Sequence, residues 1–215
     1  PVATMQSLAA APGRRWLAPL AILVLVSVSG AVAALPASRA FQREVMLAQR
    51  EALSSSMPEG QSADEIIDLT TTGAIGMATA VFSVLGAAIG PVVAVLLVAA
   101  VLHLLGTVLG GQQTFKQIFT VAAWARLPLA LGGVLWIVYL LGGGYDGHPE
   151  GLSGLTAADP FDSDSSNGLA TPILAQIELW NLWYLGFLAV AVRAAGRLSR
   201  PKAIAAVVLL VAMEI

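Results

Sequence analysis

The chain has 215 residues and a formal net charge of −2, with 57% hydrophobic and 11% charged residues, and its mean hydropathy is +0.81. A soluble domain carries about a quarter of its residues as Asp, Glu, Lys and Arg, so a water-facing globule is excluded and one membrane domain over 1–215 is expected. The absence of cysteine excludes disulfides, thiolate catalysis and Cys-based metal sites, and two distant histidines argue against a His-rich one.

Residues 1–15 end in Arg14-Arg15 and lead into Trp16–Leu35, twenty residues without a charge. At about 1.5 Å per residue this matches a hydrocarbon core of about 30 Å. Basic residues before the span and Trp16 at its edge predict a cytoplasmic N-terminus. The run is too long for the core of a cleaved signal peptide and further spans follow, so it reads as a retained signal-anchor over about 16–35. The start at Pro1 points to a trimmed N-terminus.

Charges return in 37–72. Phe41, Val45, Ala48 and Ala52 share one helix face, with Arg39, Arg43 and Arg50 on another. Ser54–Ser56, Pro58 and Gly60 break that helix, and Ser62 with Glu65 has the form of a capping box that starts a new one at Ala63. Three arginines against six acids predict an extracytoplasmic helical hairpin, either a solvated cover for the span ends or a docking surface.

Gly73–Gly111 runs nearly forty residues without a formal charge. As one helix it measures about 57 Å; as two antiparallel spans it leaves only Gly90-Pro91 for the turn. An acidic loop before it and a basic segment after it require an odd number of crossings. A single crossing is predicted, with a lead-in helix to about Ile89 and the span proper over 91–110, kinked or restarted at Pro91. Gly86, Gly90 and many alanines suit close helix contact.

Gly110–Pro128, GGQQTFKQIFTVAAWARLP, is the polar break between two apolar segments, and its charges, Lys116 and Arg126, are both positive. As a helix it places Phe115, Ile118, Phe119, Ala122 and Ala123 on one face and Gln113, Lys116, Gln117 and Thr120 on the other. That pattern predicts a cytoplasmic interfacial amphipathic helix over 112–126, from which Pro128 turns the chain inward. The next span, about 127–142, is short unless Ala122–Arg126 belong to it, in which case Arg126 snorkels to the interface.

Residues 145–172 hold five acids and no lysine or arginine, which fits a second extracytoplasmic loop. Asp159, Asp162 and Asp164 lack the glycine and terminal glutamate of a calcium loop and read as solvated. A span over 173–192 ends in the basic block Arg193, Arg197, Arg200 and Lys202, and a last apolar stretch over 203–215 is either cut short or only partly inserted. The expected fold is all-α, a polytopic membrane bundle of about five transmembrane helices.

Three separated features resemble the Yip (Ypt/Rab-interacting protein) domain family of five-span membrane proteins. They are Gly110-Gly111 with Thr114-Phe115-Lys116-Gln117 and Pro128; Glu178-Leu179-Trp180-Asn181-Leu182-Trp183 with Gly186; and Ser199-Arg200-Pro201-Lys202-Ala203. Arg126 beside the proline is an unusual charge for that pattern, and the last helix lacks the usual aromatic end. The resemblance implies no reaction and no cofactor. Eukaryotic members act in vesicle trafficking through GTPase and partner binding, whereas this compact Ala/Gly/Leu-rich chain is more similar to bacterial relatives, for which the inner membrane is the expected location. Rab binding is not carried over.

Glu178, with Gln176 and Asn181 nearby, is an ionisable group within the predicted fourth span, where such groups are costly. It reads as a carboxyl tying two helices together, through Tyr139, Trp136 or Asn181, or as a proton or cation relay. His103 reads as a neutral histidine bonded to a neighbouring backbone, with axial ligation of a haem or pigment metal as the alternative. Trp180, Trp183 and Tyr184 read as packing, and Arg193, Arg197, Arg200 and Lys202 with Lys116 and Arg126 as one face toward anionic headgroups. No catalytic residue, metal site, nucleic-acid module or small-molecule substrate is legible. The expected function is a non-enzymatic scaffold, adaptor or accessory subunit that contacts lipids and other integral membrane proteins. A small transporter or channel through Glu178 and a pigment-holding subunit through His103 are the alternatives.

Overall fold

The computed structural model describes residues 2–10, 13–49, 62–142 and 178–214. Within them the secondary structure is helical throughout: α1 (Val2–Ala10), α2 (Leu17–Ala48), α3 (Ala63–Thr71), α4 (Ala74–Val108), α5 (Phe115–Ala125), α6 (Leu127–Leu141), α7 (Leu179–Gly196) and α8 (Arg200–Glu214). The loop 145–172 with Asp159, Asp162 and Asp164, and the segments 50–61 and 173–177, lie outside the described residues.

Four helical stretches are long and apolar enough to cross a membrane: Leu17–Ala48, Ile66–Val108, Phe115–Leu141 and Leu179–Gly196. α8 is shorter, with Ala203, Ala206, Val207 and Leu210 buried and Ile204, Val208 and Leu209 exposed.

The first span does not stop at Pro36. α2 continues through it to Ala48, although proline removes one helical hydrogen bond. Ser38 Oγ donates to the Leu35 carbonyl at 3.2 Å just after the proline, whereas the carbonyl that Pro36 leaves without its helical donor is that of Val32. The helix predicted from 37 onward is therefore the C-terminal part of α2. α3 begins at Ala63 as its capping signal predicts. Thr70, Thr71 and Thr72 each return a hydroxyl hydrogen bond to the carbonyl four residues back, and α4 follows directly after Gly73.

α4 is one continuous helix of 35 residues, about 52 Å long. The chain does not reverse at Gly90-Pro91. Its side chains Val81, Phe82, Leu85, Ile89 and Leu97 are exposed, as suits contact with lipid.

The largest departure concerns the helix expected to lie flat on the membrane. Ile118, Thr120, Val121, Ala122, Ala123 and Ala125 of α5 are all buried, and α5 packs against α1, α4 and α7. Thr120, assigned to the polar face, is 0% exposed because its hydroxyl is satisfied within the helix, donating to the Lys116 carbonyl at 2.8 Å. Gln113 is buried as well. Only Arg126 separates α5 from α6, so the two form one run of 27 residues, about 40 Å long.

That run lies antiparallel to α7. Gln112 meets Gly196 (N···O 3.4 Å), Arg126 meets Tyr184, and Gly132 lies against Trp180; each step up one helix is a step down the other. It runs parallel to α2, since Trp16 meets Phe119 edge-on at 5.6 Å, Gly133 meets Val26 and Gly30 meets Ile137. Ala122, Ala123 and Ala125 with Ala191, Ala195 and Gly196 allow the close approach on which helix association in lipid depends, where apolar burial alone gives no driving force.

α1 answers to no sequence expectation. Met5, Leu8 and Ala9 are buried, and the helix packs against α5 and α7; the spacing i, i+3, i+4 is its only sequence signal.

Candidate functional site

Five helix ends meet at one end of the bundle, held by short-range hydrogen bonds. The chain leaves α4 through Gly110, whose φ of +86° is a left-handed conformation open to glycine, and Gly111 N–H donates to the Gly106 carbonyl at 2.7 Å. Gln113 then turns inward, with Nε2 donating to the His103 carbonyl at 3.4 Å. Three glycines make room for it. A Cβ on Gly106 or Gly111 would collide with the Gln113 amide, and one on Gly196 would stand 2.8 Å from its Oε1.

Thr114 next starts α5 with a reciprocal capping box. Thr114 N–H donates to Gln117 Oε1 at 2.8 Å, and Gln117 N–H to Thr114 Oγ1 at 3.4 Å, which satisfies two otherwise orphaned donors. Lys202 Nζ reaches from α8 to the Leu109 carbonyl at 2.7 Å. On the other flank, Trp124 Nε1 donates to the Arg15 carbonyl at 3.1 Å and Arg15 Nη1 donates to the Ser7 carbonyl at 3.2 Å. Gly110, Gly111, Thr114 and Gln117 of the first sequence feature and Lys202 of the third are thus structural, and Gly106 and Gly196, which sequence reasoning passed over, complete the same joint.

The joint collects Arg14 and Arg15 before α2, Lys116 in the first turn of α5, Arg193 at the end of α7, Arg197 and Arg200 in the turn to α8, and Lys202. Arg197 takes a left-handed φ of 53°. Among the residues whose side chains are described no carboxylate belongs to this end: Glu44 and Glu178 stand at the far ends of α2 and α7, and Asp64 and Asp68 lie on α3, before the far end of α4. A surface with this charge attracts anionic headgroups.

Arg126 stands apart from that cluster. It is half-buried, its Nε has no hydrogen-bond partner among the described residues, and its guanidinium carbon lies 5.5 Å from the centroid of the Tyr184 ring, within cation–π range. It lines a groove of about 550 Å³ between α2, α4 and α6, whose walls include Ser27, Gly30, Gly86, Gly90 and Trp136. Sequence reading singled out Arg126 and the two α4 glycines but did not bring them together.

His103 is half-buried and meets Phe115 edge-on at 6.1 Å; its Nδ1 is buried without a hydrogen-bond partner among the described residues. No group of three or more His, Cys, Asp or Glu able to hold a metal occurs among the described residues. Glu178 departs from its expected place. It is the exposed N-cap residue of α7, with φ −122° and ψ 144°, because the helix begins after it rather than enclosing it. Asn181 sits half-buried in the first turn of α7. Trp180 and Trp183 stack at 6.2 Å, and Trp183 and Phe187 at 6.0 Å, forming an aromatic row along α7.

One family model, the Yip1 domain, matches residues 1–215. No curated protein and no solved structure matches the chain.

Proposed function

This chain belongs to the Yip1 domain family, a family of membrane proteins, and we propose that it acts without catalysis, as an integral membrane scaffold or accessory subunit. The observation that carries the reading is the convergence of α2, α4, α5, α7 and α8 on one hydrogen-bonded, cationic end. Such an end offers a rigid platform that rests on anionic headgroups and leaves the opposite end to carry the acidic segments. On this reading the cationic end and the N-terminus are cytoplasmic, and α8 is a fifth, partial passage. A bacterial inner membrane is the proposed home on the strength of the Ala/Gly/Leu-rich composition. Glu178 stands exposed at a helix start, so no observation favours a polar path through it.

The test is purification of the full chain in mild detergent after cross-linking in membranes from Gln112→Cys, a position exposed on the cationic end. A partner recovered in fixed stoichiometry is expected. Consistent recovery of the bare monomer overturns the scaffold reading.

A further inference from the structure

We propose that the groove between α2, α4 and α6 binds a single-chain anionic lipid, a long-chain carboxylate whose head pairs with Arg126 and whose tail lies toward Trp136. The registers of the helices set the depth. Val26 meets Gly133 and Gly30 meets Ile137, a register that sets Arg126 about one helical turn beyond Trp16, about 5 Å further along the bundle. A cation at that depth is costly unless an anion or water accompanies it. Among the described residues Arg126 has the Tyr184 ring beneath its guanidinium and no hydrogen bond to Nε. A planar carboxylate matches a guanidinium in two parallel hydrogen bonds.

Shape narrows the occupant. From Arg126 to Trp136 the groove follows ten residues of the α5–α6 run, about 15 Å. Its walls are small or apolar apart from Ser27 and the two end residues, which suits an alkyl tail. A Cβ built on Gly86 or Gly90 meets no atom within 4 Å, so that wall is uncovered. A volume of about 550 Å³ falls within the range of about 300–1,000 Å³ usual for ligand sites. To reach Arg126 below the Trp16 level a phospholipid would have to carry its whole headgroup inward, whereas a fatty acid brings only a carboxylate.

The experiment uses the purified full chain in phosphatidylcholine nanodiscs titrated with brominated stearate, reading tryptophan quenching. A saturable component that disappears in Trp136→Phe is expected. Arg126→Gln weakens its half-saturation about tenfold or more, and Arg126→Lys recovers part of the loss. Gly90→Leu, which fills the groove where space is open and keeps the charge, removes the saturable component while the circular dichroism and melting of the protein stay unchanged. Quenching that does not saturate, or that is the same in wild type, Arg126→Gln and Gly90→Leu, overturns the proposal. So does saturable quenching by brominated phosphatidylglycerol but not by brominated stearate. Cross-linking of Gly90→Cys to a neighbouring protein that added stearate does not displace would assign the groove to a protein partner and overturn it as well.

Discussion

Lys202 Nζ donates to the Leu109 carbonyl across 2.7 Å, so a cation in the first turn of α8 sits on the C-cap of α4. The contact favours α4, whose C-terminus carries partial negative charge, and offsets the unfavourable position of Lys202 at the start of its own helix. Lys202→Met is expected to cost about 1 kcal/mol, with Lys202→Arg retaining most of it. Thermal unfolding of both variants in one detergent checks this.

The Gln113 cradle gives a coupled prediction. Gly196→Ala places a methyl group 2.8 Å from Gln113 Oε1 and 3.2 Å from Leu198 Cγ, and overpacking of this kind costs about 1–3 kcal/mol. Shortening the other partner relieves much of the clash. The double variant Gly196→Ala/Gln113→Ala is therefore expected to be more stable than the sum of the single effects by about 0.5 kcal/mol or more, measured by a double-mutant cycle in denaturant.

Thr114→Ala removes one half of the capping box while leaving the chain's charge untouched. A loss of about 1 kcal/mol is expected, and Thr114→Ser keeps the hydroxyl and should stay near wild type. Hydrogen exchange of the first-turn amides of α5 separates this local fraying from a global loss of stability.

Trp124→Phe keeps the ring packing and deletes the 3.1 Å hydrogen bond to the Arg15 carbonyl. The net loss is about 0.5–1.5 kcal/mol, and it is expected to fall on the N-terminal segment. Protease accessibility and hydrogen exchange in α1 should rise while α7 is unaffected.

Orientation follows from charge placement. The chain has no cysteine, so single-cysteine variants report cleanly. Gln112→Cys is expected to label with an impermeant maleimide only after the membrane is breached, and Asp64→Cys to label from outside on intact cells. The reverse pattern overturns the proposed placement of the N-terminus.

Much of the helical framework was legible because period and caps carry it. Ser62 marks the start of α3 at Ala63 and the apolar runs mark the helices long enough to cross, whereas the Thr114–Gln117 capping box was not read as one and α5 begins at Phe115 rather than at 112. The assignment of Gln113 and Thr120 to an exposed polar face of α5 failed for a definite reason. Thr120 and Gln113 look polar in a sequence, yet Thr120 bonds its own helix backbone and Gln113 a nearby carbonyl of α4, so both are buried in the joint. Periodicity reports residue type and not whether a polar group finds a partner nearby. Pro36 misled in the same way, since a proline weakens a helix without having to end it. Glu178 was misplaced because the start of α7 has no distinct capping signal; its N-cap side chain makes no capping hydrogen bond. The groove at Arg126 was out of reach, because it depends on the register between helices distant in sequence.

The glycine-cradled joint also decides where this bundle is able to yield. With α4, α5, α7 and α8 riveted together at the Gln113 end, the helices behave like the arms of tongs, and any spreading grows with distance from the rivet. Fluctuations should therefore widen the groove more at the Trp136 mouth than at Arg126.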